Sequence, residues 1–109
     1  MTLFKVFRAA EWEALQRDGQ FQGSPDDLRD GFIHLSAGEQ LAGTLSRHFA
    51  GEEGLVIAEV RVAQDPALRW EASRGGALFP HLYRPLLAGE CLRRGHPSRP
   101  ASMGTRTGA

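Results

Sequence analysis

Between residues 54 and 94 the chain is cut into short apolar segments by glycine and proline: GLVIAEVRV (54–62), ALRWEA (67–72), ALFPHLY (77–83) and LLAGECLRR (86–94). Segments of this length, separated by turn residues, predict β-strands. In the first, Val56, Ala58, Val60 and Val62 share one face, with Leu55, Ile57, Glu59 and Arg61 opposite, which suits a central strand that becomes exposed toward its end. SRGG (73–76) reads as a turn, and Pro80, with no N–H to give to a ladder, restricts its strand to an edge or a bulge.

The first half supplies the helices. LFKVFR (3–8) has strand formers, and AAEWEALQRDG (9–19) follows with Trp12 and Leu15 three apart and Gly19 where a helix ends. QFQGSPDDLRD (20–30) is dense in Gly, Ser, Pro and Asp and reads as a loop. GFIHLS (31–36) alternates, placing Phe32, His34 and Ser36 on one face of a strand and Ile33 and Leu35 on the other. A helix is predicted over 38–49, from the apolar repeat Leu41, Leu45, Phe49 and the capping-box spacing of Ser36 and Glu39. From Gly95 onward there is no periodicity, so the expected organisation is one domain over 1–94 and a flexible tail over 95–109. Helices first and strands later imply α+β with a mixed or antiparallel sheet.

Several function classes drop out on composition. Apolar residues at 41% and charged residues at 24% place the chain among globular proteins. Residues 1–94 hold eleven Lys and Arg against thirteen Asp and Glu, a net of −2, so duplex nucleic acid is a poor partner. Cys91 is the only cysteine, which excludes an internal disulfide and a cysteine-rich zinc cage. With no stretch near the ~20 apolar residues that span a bilayer and no leader pattern, a cytoplasmic location is expected. No glycine-rich phosphate fingerprint follows a strand, and no resident cofactor or metal is called for.

Two histidines in strand-like segments are the candidates for chemistry. His34 lies just before a predicted helix start, where the helix dipole favours a neutral ring able to bond a sugar hydroxyl or carbonyl. The plainer alternative is a ring bonded to a backbone carbonyl. Ser36 is either a cap or a ligand contact, and Gln40, Thr44 and Arg47 form a polar helix stripe that is either solvated or turned to a ligand. Glu71 precedes a turn in which Arg74 offers a guanidinium beside two glycines, suited to a phosphate or carboxylate. Phe79, His81 and Tyr83 share one strand face and form either a pocket wall or aromatic packing.

Taken in order, DGFIHLS, Gln40 with Thr44, RHFAG, RWE and FPHLY resemble the family called domain of unknown function 952, over about residues 3 to 93. One departure is Arg84, where FPHLY in that family is usually followed by Gly. The family is grouped by fold with the ADP-ribosyltransferases, so the resemblance implies a split β architecture of two small sheets with an NAD-shaped cleft. It also implies that His34 holds the nicotinamide-side ribose, that Phe79, His81 and Tyr83 line the pocket, and that Glu71 is the candidate late acid, although it precedes FPHLY. NAD would then be a substrate rather than a resident cofactor. A partner module without catalysis and a hydrolase of another small metabolite, working through His and Glu, remain the alternatives.

Overall fold

The computed structural model describes residues 1–95. It is α+β, with nine short strands in three small antiparallel sheets and three helices among the described residues. Strand β1 (Leu3–Phe7) leads into helix α1 (Ala9–Asp18), which ends at Gly19 in the left-handed conformation (φ 80°) that glycine adopts without strain. Strand β2 (Gln20–Phe21), helix α2 (Pro25–Asp30), β3 (Ile33–His34) and β4 (Ser36–Ala37) follow in quick succession. A 3₁₀ turn (Gly38–Gln40) then opens helix α3 (Leu41–His48). The remainder is β5 (Val56–Val60), β6 (Leu68–Ala72), β7 (Leu78–Leu82), β8 (Leu86–Leu87), a second 3₁₀ turn (Ala88–Glu90) and β9 (Cys91–Gly95).

The largest sheet has the order β4-β1-β5-β9, so β5 is central, and its burial alternates as its sequence predicts, with Val56, Ala58 and Val60 inside. The second sheet is the pair β2-β8, and the third has the order β3-β7-β6. At Leu35 the chain passes from the third sheet to the first, because its N–H still bonds the Pro80 carbonyl while the next two residues already pair with β1. One core joins all three sheets: Leu3, Phe7, Leu15, Phe21, Ile33, Leu82 and Leu86 are at most 7% exposed. Phe7 packs edge-on against both Trp12 and Phe21, with ring centroids 5.3 Å apart in each case.

Four expectations are corrected. Residues 20–30 are not one loop but hold strand β2, which pairs with β8, and helix α2. Ser24 caps that helix, Pro25 opens it, and Gly31 closes it with φ 87°. The turn signals there were helix-boundary signals, since the same residue types serve both. Pro80 lies in the middle strand of its sheet rather than at an edge. Its carbonyl points toward the β3 side, to Leu35, so its missing N–H falls where that two-residue strand stops. Ser36 does not cap the helix after it: Gln40 reaches back to the Ala37 N–H, and the helix begins as a 3₁₀ turn. The segment 86–94 is broken by the second 3₁₀ turn rather than forming one strand. Of the expected tail, Gly95 ends β9, and residues 96–109 lie outside the described residues.

Candidate functional site

The site grows from a polar anchor inside the core. Leu3, Lys5 and Phe7 alternate onto one face of β1, so Lys5 sits between two fully buried apolar side chains and is itself 5% exposed. Its register partner on β5 is Ala58, whose small side chain leaves room beside it. Lys5 Nζ donates to Asp27 Oδ2 at 2.9 Å and to the His34 carbonyl at 3.2 Å. Asp27 Oδ2 also accepts from the Ser24 N–H (2.9 Å), completing a reciprocal cap with Ser24 Oγ. The other oxygen, Oδ1, accepts from the His34 backbone N–H (3.0 Å) and lies 2.7 Å from His34 Nδ1. Burial opposes ionisation of Asp27, but the bonds from His34, Lys5 and Ser24 outweigh it and hold the carboxyl well below its ordinary range.

His34 meets a second carboxylate, Asp30 Oδ2, at 3.0 Å from Nε2. A carboxylate oxygen therefore stands at each ring nitrogen of His34. Asp30 is held below the usual carboxylate range chiefly by Arg29, with His34 contributing.

Strand pairing carries the cluster onto the face of the three-stranded sheet. His34 stands directly opposite His81, with ring centroids 5.7 Å apart. Phe32 stacks on His81 at 3.9 Å with a 21° interplanar angle, and lies 4.6 Å from His34 and 5.3 Å from Tyr83. Glu71 Oε1 accepts from the Tyr83 hydroxyl at 2.7 Å and lies 2.8 Å from His81 Nδ1. These contacts, Tyr83 first and His81 second, hold Glu71 below its ordinary range, and the same carboxylate pushes Tyr83 up. Glu71 Oε2 and His81 Nε2 have no protein partner among the described residues. Arg69, opposite His81 on β6, places its guanidinium 5.9 Å from the Tyr83 ring centre.

His34, Glu71, His81 and Tyr83 thus come together as their sequence positions suggest, and Phe79 is on the same face, half-buried opposite Glu71. Ser36 and Thr44 bond each other instead, at 2.7 Å between hydroxyl oxygens, and Ser36 is 3% exposed. Gln40 is spent on two backbone groups, accepting from Ala37 N–H at 3.0 Å and donating to the Leu78 carbonyl at 2.7 Å. Arg74 is exposed in the β6–β7 turn, at the far end of the hairpin from Tyr83. Sequence reasoning passed over Lys5, Asp27, Asp30, Arg69 and the stacking role of Phe32. Lys5 and Arg69 could have been found from alternation, which puts Lys5 on an apolar face and Arg69 on the face of Glu71. Asp27 and Asp30 were hidden by reading their helix as a loop.

A hollow of about 230 Å³ borders the cluster, with Gln22, Asp27, Leu28, Phe32, Leu82 and Tyr83 among its lining residues. It adjoins the ring of Phe32 but not His34 or His81. A larger depression of about 380 Å³ lies elsewhere, between Met1, Thr2 and residues 59–65. Among the described residues no group of three or more His, Cys, Asp and Glu side chains is disposed to hold a metal. Burial pushes the Cys91 thiol up to about 11, which keeps it in the unreactive form at neutral pH. No helix among the described residues is long and apolar enough to cross a membrane.

Residues 6–93 match the family described as Protein of unknown function (DUF952). The fold is similar to the X-ray structure of protein CC0527 from Caulobacter crescentus: TM-score 0.83 and 49% identity over 88% of this chain and 85% of that one. The X-ray structure of a double mutant of CC0527 gives a TM-score of 0.79 at 48% identity, covering 85% of each chain. The solution NMR structure of CC0527 gives 0.75 at 52% identity, covering 84% of this chain and 80% of that one. No curated protein matches.

Proposed function

The chain belongs to the DUF952 family of proteins of unknown function, and from that premise we propose that the face carrying Phe32, His34, Glu71, His81 and Tyr83 binds a nucleotide of the NAD or ADP-ribose class. The observation that carries this reading is a pair of polar atoms without a protein partner among the described residues, Glu71 Oε2 on a half-exposed side chain and His81 Nε2 on a buried one, beside stacked aromatic rings. An ionised carboxylate next to aromatic rings suits a ribose joined to a flat base. It also suits stabilising the sugar cation that develops when an N-glycosidic bond breaks. The likeness of DGFIHLS and FPHLY to a family grouped with the ADP-ribosyltransferases supports the same ligand class, with NAD as substrate. Binding comes first in this reading. The bordering hollow, about 230 Å³, is smaller than the roughly 300 Å³ at which ligand pockets begin. Most of the ligand would therefore rest on an open face. A cytoplasmic setting, where such nucleotides are abundant, fits the single Cys91.

Thermal unfolding with NAD, ADP-ribose and nicotinamide, each at millimolar concentration, tests the reading. A ligand that binds only the native state raises the midpoint, and His34→Ala should remove the rise. Unchanged midpoints with all three ligands would refute it. One observation favours a second reading: Glu71 holds His81 through Nδ1 and leaves Nε2 without a protein partner among the described residues, the arrangement of a general base, which fits a hydrolase of another small metabolite.

A further inference from the structure

We propose that Asp27, backed by the buried ammonium of Lys5, is the positioning residue that fixes His34 with Nδ1 turned inward, leaving Nε2 as its ligand-contacting nitrogen, and that Asp30 occupies the place of the ligand's acceptor group. The inference rests on the proposed binding face and adds the atom used and the device that aims it.

Asp27 is 2% exposed and carries four polar contacts from three directions: Lys5 Nζ, the Ser24 N–H, and the backbone N–H and ring of His34. Bonding both the main chain and the ring of one residue through the same Oδ1 fixes the side-chain torsion as well as the strand position, which a single contact does not. Lys5 closes the arrangement by also taking the His34 carbonyl, so both backbone polar groups of His34 are held by this pair. A lysine–aspartate pair in a core is a weak source of stability, because desolvation offsets attraction and an apolar pair of similar volume often serves as well. Its placement on His34, whose side chain is 38% exposed against 10% for the facing His81, gives it a different use. Asp30 is the weaker arm: its side chain is 31% exposed and shared with the surface guanidinium of Arg29, so a ligand oxygen can replace it at Nε2. The ligand chemistry this selects at Nε2 is a phosphate or carboxylate oxygen when that nitrogen carries a proton, and a sugar hydroxyl, which can donate as well as accept, in either state of the ring.

The test is ¹H–¹⁵N NMR of the imidazoles in the full chain, with His34→Ala identifying the His34 signals. In the wild type the Nδ1–H proton of His34 should be visible and slow to exchange. Its absence would overturn the proposal whatever any variant does. The double substitution Lys5→Met/Asp27→Ala removes the pair without stranding a buried charge. It should abolish that signal while the amide spectrum of the β-sheets stays native, and should weaken ADP-ribose binding about tenfold or more. A folded double variant that keeps the Nδ1–H signal, or binds ADP-ribose as the wild type does, would contradict it. If the wild type binds none of the nucleotides, the nucleotide reading fails, while the imidazole signal still decides whether Asp27 orients His34.

Discussion

At the scale of single residues, Asp27 is where stability and site geometry meet. Asp27→Ala alone leaves the Lys5 ammonium buried without its counter-charge, and breaking a buried pair in this way costs about 3–5 kcal/mol. Chemical denaturation should show that loss, and most of it should return in Lys5→Met/Asp27→Ala. The pH dependence has a fixed sign. The folded-state pKa of Asp27 lies below its unfolded value of about 3.9, so its stabilisation is complete above that pH and is lost as pH falls toward the folded value. Unfolding free energy measured between pH 6 and pH 2 should decline below about pH 4, and less steeply in the double variant. Tyr83→Phe removes the first of the two bonds that depress Glu71, so an NMR titration of the Glu71 carboxyl should show its pKa moving up toward the ordinary range.

At the scale of elements, α2 is the small helix on which the anchor depends. Ser24→Ala removes its cap and should lower stability by about 1 kcal/mol. Gly23 has φ 141°, and a Cβ there would lie 2.8 Å from Asp27 Cβ, so Gly23→Ala should destabilise by roughly 1–3 kcal/mol and displace Asp27 from His34. Both are read from thermal melts. This element also shows why part of the fold was illegible. Ser, Pro, Asp and Gly at 23–31 are the residues of turns and of helix ends alike, and a six-residue helix offers too few turns for an apolar period to decide between them. Where the apolar pattern is clear, in β1, α1 and β5, sequence and structure agree, and in β5 burial on one face dictates the period. Helix α3 is intermediate. Its apolar repeat Leu41, Leu45 and Phe49 is half-buried, yet the helix has no fully buried residue; Thr44 ties it to β4, and Gln40 ties the 3₁₀ turn before it to β7.

At the scale of the whole molecule, three small sheets share one core, and the crossing at Leu35 brings a polar anchor in the first sheet to an aromatic face on the third. Alternation within DGFIHLS and FPHLY made the shared face legible, since each segment presents its histidine and aromatics on one side. What alternation cannot reveal is that the two segments pair with His34 opposite His81, because strand register depends on the fold as a whole. The central claim is that this face receives a nucleotide, and ¹H–¹⁵N NMR of the protein titrated with ADP-ribose tests it most directly. A nucleotide bound at this face will give saturable shifts concentrated at residues 32–34, 69–71 and 81–83. Saturable shifts confined to the separate depression at residues 59–65, or none at all, would contradict it.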